Sequence, residues 1–238
     1  MRTKILTTAA AFFFFGLFTS CHKFWQIEGN HHVITQTRNV SEFNEIVSEG
    51  DFDVAVVNDS TKELSVEAEE NLLPFIETYV SNNKLIVRTK RNKNIKNHYR
   101  IIINVRSPQI SGLHLSGSGK IKADTLKANE INIKLSGSGN INLAAKCGTI
   151  NAYISGSGEI NISGTSDKTN FDISGSGNIN SYLLSQNSCY ADIDGSGNIY
   201  ASVEKYISVD ISGSGNLHYY GNPAVETHIK GSGKVIHH

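Results

Sequence analysis

Proline is scarce, with three residues in 238. An excess of charge is missing altogether: 22 Lys and Arg stand against 22 Asp and Glu. That balance excludes an electrostatic search for nucleic acid or for an acidic partner. Helix-like sequence is nearly missing too. The exception is NLLPFIETYV at residues 71–80. There Asn71 is placed to cap a short helical turn, and Pro74 is tolerated near its start. What the chain does have is glycine, 21 residues of it. High glycine with little proline fits turns repeated within an ordered β fold better than a disordered linker. The length allows one large domain or two small ones.

A membrane-spanning run is also lacking. ILTTAAAFFFFGLF, at residues 5–18, is the longest apolar stretch and falls short of the ~20 residues that a helix needs to cross a bilayer. It follows the positive start MRTK and leads through Thr19 and Ser20 to Cys21. This resembles a bacterial lipoprotein signal, although Phe18 stands where such signals usually carry leucine. The resemblance implies a signal peptide over residues 1–20, cleavage before Cys21, and lipid (palmitate-type) attachment there. Several acyl chains on one residue give stable anchoring. Residues 21–34 then read as anchor and linker. HKFWQ after Cys21 carries no acidic run of the kind linked to surface export, which leans toward the periplasmic face of an outer membrane. The face itself is left open.

The glycines recur in one phrase. LSGSGKIK begins at Leu115, LSGSGNIN at Leu135, ISGSGEIN at Ile154, ISGSGNIN at Ile173, IDGSGNIY at Ile193, ISGSGNLH at Ile211 and IKGSGKVI at Ile229. The positions before GSG (Ser116, Ser136, Ser155, Ser174, Asp194, Ser212 and Lys230) are spaced 20, 19, 19, 20, 18 and 18 residues apart. That period is the signature of a solenoid, each coil stacked on the last. One aliphatic residue precedes each phrase, and another follows two residues after its second glycine, from Ile121 to Val235. The flanks alternate apolar and polar, the period of a half-buried strand. Each coil therefore reads as strand, GSG corner, strand and variable loop, with the aliphatics stacked in ladders. The corner glycines are Gly117, Gly119, Gly137, Gly139, Gly156, Gly158, Gly175, Gly177, Gly195, Gly197, Gly213, Gly215, Gly231 and Gly233. A sharp corner calls for backbone angles that glycine adopts cheaply, and stacking at the ~4.8 Å strand spacing leaves little room for a Cβ.

The same geometry addresses Cys147 and Cys189. They lie two coils apart, roughly 9–10 Å at strand spacing, beyond the ~7 Å that a disulfide tolerates between Cα atoms. Two free, buried thiols are expected. Upstream, HHVITQTRNV, FDVAVVN, KELSVEAE, NKLIVRTK and YRIIINVRS read as strands. RNKNIKNH reads as a solvated turn.

DFDVAVVNDSTKELSVEAEENLLPFIETYVSNNKLIVRT, followed by the repeated SGSGNI phrases, resembles the DUF2807 family, also called the putative auto-transporter adhesin, head GIN domain family. The echo of that name is Gly139-Asn140-Ile141, repeated at Gly177 and Gly197. The resemblance spans residues 35–236, with GSG coils from about residue 111. It implies an all-β, right-handed parallel β-helix in an envelope lipoprotein, and no established enzymatic activity.

Catalytic signatures of glycine-rich loops are not met. GSGK at 117–120 and 231–234 runs into strands at Ile121 and Val235, where a phosphate-binding loop needs Ser or Thr and then a helix. A nucleophile elbow needs its glycines two residues from the serine, and here they are adjacent. The calcium nonapeptide repeat would appear twice per coil; this phrase appears once. One polar row reads as a solvated acidic face or as a site for a cation or a glycan. Asp172, Asp192 and Asp210 precede successive phrases and stack at ~5 Å, with Asp194 close by. Their charges repel and raise one another's pKa, which a hard cation such as Ca²⁺ would relieve. No cofactor is otherwise expected. Tyr153, Tyr200, Tyr219 and Tyr220 are candidate stacking platforms for sugars. Asn140, Asn178, Asn198 and Asn216, with Asn142, Asn161 and Asn180, read as structural amide ladders.

The reading is a non-enzymatic envelope lipoprotein, membrane-bound through its lipid, that presents a β-helix for adhesion or for protein or glycan contact. A carbohydrate-active β-helix enzyme and a periplasmic structural or signalling partner are the alternatives. KGSGKVIHH stops half a coil after its corner without a polar cap, so homo-oligomer or partner contact through the C-terminal coil is expected.

Overall fold

The structure, a computed structural model, describes residues 26–238. The signal segment and Cys21 lie outside the described residues. The strands in chain order are β1 Gln26–Glu28, β2 Val33–Thr37, β3 Glu45–Glu49, β4 Asp53–Asn58 and β5 Glu63–Glu69. A single 3₁₀ turn, Leu73–Phe75, precedes β6 Ile76–Ser81, β7 Lys84–Thr89, β8 Asn94–Lys96 and β9 Ile102–Ser107. The coils follow as β10 Gly112–Gly117, β11 Lys120–Gly137, β12 Asn140–Gly156, β13 Glu159–Gly175, β14 Asn178–Gly195 and β15 Asn198–Gly213. The last turn is β16 Asn216–Tyr220, β17 Ala224–Gly231 and β18 Lys234–His237. No helix among the described residues is long and apolar enough to cross a membrane.

The repeat folds as a parallel β-solenoid of about seven turns. Register is set by the corners: Gly117, Gly137, Gly156, Gly175, Gly195, Gly213 and Gly231 pair in one unbroken row. Between corners the chain departs from the expected strand–loop alternation. β11 to β14 run 17 or 18 residues from one corner to the next. Parallel pairing continues around the coil, relieved only by local register shifts such as Ser181/Ser185. The segment that looked like a variable loop still finds its hydrogen-bond partners in the coil before it, so it too is strand.

The corner explains its composition. Gly175 has φ +128°, and a Cβ there would lie 2.6 Å from the carbonyl oxygen of Gly156. That angle is costly for an L side chain, and a side chain has no space. Gly177 is excluded from substitution by proximity alone, its Cβ falling 2.6 Å from Ile154 Cγ2 and 2.7 Å from the Gly158 oxygen. Between them the Ser176 N–H donates to Gly156 O at 2.9 Å. A bare corner thus bonds directly to the corner beneath.

Inside, Leu115, Leu135, Ile154, Ile173, Ile193 and Ile211 form one ladder, all essentially without exposure. Ile121, Ile141, Ile160, Ile179, Ile199 and Leu217 form a second. Full burial of each such side chain contributes roughly 1.5–3 kcal/mol. On the last coil Ile229, which continues the first ladder, is 40% exposed, and Val225, over Ile207 on a neighbouring row, is 38% exposed.

The solenoid begins earlier than GSG does. Gly50, with φ +137°, underlies Gly117, and Lys120 N–H donates to Phe52 O. Gly50-Asp51-Phe52 is therefore the first corner, with buried Phe52 in place of the second glycine. Beneath it β3, β4, β7 and β9 continue the parallel stack, while β2, β5 and β6 pair antiparallel. Arg38 ties this end together, donating to Ile76 O at 2.6 Å, Leu73 O at 3.0 Å and Thr78 Oγ1 at 3.1 Å. Asn71 does not cap the 3₁₀ turn. Its cap position is Leu72, without a side-chain bond. Asn71 instead donates to Glu28 O at 2.7 Å and accepts the Asn30 N–H, fastening the N-terminal segment.

Both cysteines are free. Cys147 pairs in register with Ser166, and Cys189 with Thr169. Cys189 is fully buried, and desolvation pushes its thiol up to about 12. Cys147 is only half-buried, contrary to expectation, in a stretch whose neighbours Lys146, Gly148 and Thr149 are likewise exposed or half-buried.

Candidate functional site

Each coil contributes one residue to every row that runs along the solenoid axis. The most distinctive outer row reads Lys122, Asn142, Asn161, Asn180, Tyr200 and His218, each in register with the next. Its first four members line an open groove of about 750 Å³, which Leu183, 80% exposed, also lines. The row ends in stacked rings. Tyr200 and His218 lie 5.0 Å apart at 17°, and His218 stacks on His238 at 5.2 Å. Tyr182 meets Tyr200 edge-on at 5.5 Å and Tyr220 at 4.9 Å. Tyr182 carries no signal in the repeat phrase, because it lies where the register slips beyond Ser181.

The asparagines divide into two kinds. Asn178, Asn198 and Asn216 form a bonded ladder: Asn198 Nδ2 donates to Asn178 Oδ1 at 3.1 Å, and Asn216 Nδ2 to Asn198 Oδ1 at 3.0 Å. Asn140 is cut off from that ladder by Glu159. Asn142, Asn161 and Asn180 share a row yet, among the described residues, no amide-to-amide bond links them. Asn180 Oδ1 accepts the Tyr182 N–H. A further ladder has no counterpart in the repeat phrase. Asn151 Nδ2 donates to Asn132 Oδ1 at 3.0 Å and to Glu130 Oε1 at 2.9 Å, and Asn170 Nδ2 donates to Asn151 Oδ1.

Asp172, Asp192 and Asp210 do stack in register on an exposed row, continued by His228. Asp194 pairs instead with Ser174 and Ser212. Partial desolvation, then the charges of Asp192 and Asp194, hold the Asp172 carboxyl above the usual range. No three of these carboxylates bring oxygen atoms within 4.8 Å of one another. Tyr153 lies on the same row, against Asp172. Tyr219 packs against the core and stacks on His237 at 4.8 Å.

A second cluster lies at the opposite end. His31, Glu69 and His98 bring their ligating atoms within 4.8 Å of one another. The Glu69 side chain has no exposed surface. Burial works to raise its pKa, but the backbone N–H groups of His98 and His31 outweigh that and leave it lowered. The group was not legible in sequence, because Glu69 stands 38 residues after His31 and 29 before His98.

A repeated, tightly stacked corner, a continuous aliphatic core and polar rows on the outside define a parallel β-solenoid. The family model described as "Putative auto-transporter adhesin, head GIN domain" (DUF2807) matches residues 42–223, and the chain belongs to that family. Solved structures agree. A putative adhesin from Bacteroides fragilis is 24% identical, with TM-score 0.84 over 89% of this chain and 100% of that one. A protein from Parabacteroides distasonis described as a putative lipid binding protein is 25% identical, with TM-score 0.75 over 90% and 99%. A putative adhesin from Parabacteroides merdae is 21% identical, with TM-score 0.69 over 90% and 99%. No curated protein matches the chain.

Proposed function

We propose that this protein is a non-catalytic adhesin of the bacterial envelope, anchored by lipid on Cys21, that grips an extended glycan along the row from Lys122 to His218. The observation that carries this reading is the register of the row itself. It offers one polar group per rung and then flat rings, at ~4.8 Å per rung. Amides donate to and accept from hydroxyl groups. The rings are stacked face to face, so they offer a ligand their edges and polar tips, an apolar body with a wet end. The coils beneath are rigid, so the groups are held before the ligand arrives and less ordering entropy opposes binding. The adhesin description of the family points the same way.

Binding of the purified protein to an immobilised glycan panel tests this. Tyr200→Ala and Asn161→Ala are expected to weaken capture at least ~10-fold, equivalent to about 1.4 kcal/mol. Asp172→Asn, on another row, leaves it unchanged. Equal binding by all variants, or capture by matrix proteins alone, overturns the glycan reading.

A further inference from the structure

We propose that His31, Glu69 and His98 form a binding site for a divalent transition-metal ion of the zinc class. The three come from separate places. His31 lies between β1 and β2, Glu69 ends β5, and His98 lies between β8 and β9. Two imidazoles and one carboxylate are a ligand set that suits zinc, whereas calcium prefers oxygen throughout.

The cluster is held in place by the backbone. Glu69 Oε1 accepts the His31 N–H at 2.9 Å, and Oε2 accepts the His98 N–H at 2.8 Å. One carboxylate thus fixes both histidine-bearing segments. His98 Nδ1 lies 3.1 Å from Glu69 Oε1, and its Nε2 lies 3.4 Å from Glu28 Oε1. Glu28 is therefore placed to orient His98 in the manner of an outer-shell carboxylate, or to reach the ion itself. The ring centroids of His31 and His98 are 3.8 Å apart. His31 holds φ +61°, a conformation that non-glycine residues seldom adopt. Strain of this kind gathers at ligand clamps. Gly29 completes the cradle, since a Cβ there would fall 2.1 Å from Glu69 Oε1.

Glu69 is buried without a lysine or arginine partner among the described residues. Its two oxygens offer about four acceptor sites, and the neighbouring N–H groups leave capacity for a cation. Zinc bonds of 2.0–2.1 Å in a tetrahedron place ligand atoms about 3.4 Å apart. The three ligating atoms lie within 4.8 Å of one another, close to that separation. A bound ion would clamp β1, β5 and the β8–β9 connection, the point at which the folded module meets its anchor segment.

The test is Co²⁺ titration of the EDTA-stripped full chain, followed by displacement with Zn²⁺ and melting with and without Zn²⁺. The proposal expects visible absorption typical of four-coordinate cobalt, one equivalent bound, and a melting point that rises with Zn²⁺ as mass action requires. His31→Asn keeps a residue tolerant of the left-handed backbone and removes the imidazole. It is expected to weaken binding at least ~10-fold, the usual size of a lost ligand or outer-shell contact, while melting like the parent in EDTA. His98→Gln does the same. The pair His237→Ala and His238→Ala, at the other end, leaves binding intact. Absence of cobalt bands at millimolar metal overturns the site. So does unchanged affinity in His31→Asn, or loss confined to the His237 and His238 variant.

Discussion

Gly175 sits directly on Gly156, so close that a Cβ on the upper residue would lie 2.6 Å from the carbonyl oxygen of the lower. The corner row is the part of this fold least able to accept change. Gly175→Ala combines a φ of +128° with that clash. It is expected to cost about 2–4 kcal/mol, a strained backbone of about 1–3 plus displacement of the coil. Ser176→Ala, at an exposed side chain between the two glycines, is expected to stay within ~0.5 kcal/mol. Urea unfolding of the two variants side by side decides it.

The aliphatic ladder predicts a gradient. Ile173, mid-stack and without exposed surface, loses roughly 2–5 kcal/mol when cut to alanine. Ile229 occupies the same ladder on the last coil but is 40% exposed. Its truncation is expected to cost about 1–2 kcal/mol, because only part of its surface is buried. Equal losses from the same denaturation series would show that the terminal coil is covered.

Asp172 sets a pH dependence. Its folded pKa is raised, through desolvation first and then Asp192 and Asp194. The folded protein therefore holds that proton more tightly than the unfolded chain. Stability falls as pH rises from the ordinary carboxylate range through the folded pKa, and stays reduced above it. Asp172→Asn is expected to raise stability at neutral pH by a few tenths of a kcal/mol at an exposed site, and the melting point slightly with it. The gain shrinks in high salt and vanishes at low pH. A melting point that drops in Asp172→Asn across this range would contradict the repulsive row.

The two thiols differ in reach. With Cys21 replaced by serine, native protein is expected to label slowly at Cys147 and not at Cys189, whose thiol is buried and pushed up to about 12. Both label once the chain is unfolded. Peptide mapping after timed alkylation reads this directly, and early modification of Cys189 would mean that the coil opens.

The repeat was legible because GSG marks register absolutely. Once Gly137 is set over Gly117, the row positions of Ile121, Asn142 and Asp172 follow by counting. The first corner was not legible, because Phe52 fills the position of the second glycine. The pairing of Asn151 with Asn132 and Glu130 has no mark in the repeated phrase, because it lies where the sequence drifts and only stacking aligns it. Asn71 was misread because a local capping rule competes with a contact to Glu28, 43 residues earlier. The His31, Glu69 and His98 group depends on antiparallel and loop contacts at the N-terminal end, which no short spacing encodes. The Asn142 row reads like the Asn198 row in sequence; the two differ in their side-chain bonds, which only the structure shows.

Surface exposure on living cells tests the adhesin account most directly. Intact cells are treated with protease, and the protein is then followed by immunoblot alongside a periplasmic control. Cleavage of this protein with the control intact is the predicted result, since an adhesin must reach its glycan. Complete protection until the outer membrane is opened would contradict the account and assign the solenoid a partner inside the periplasm.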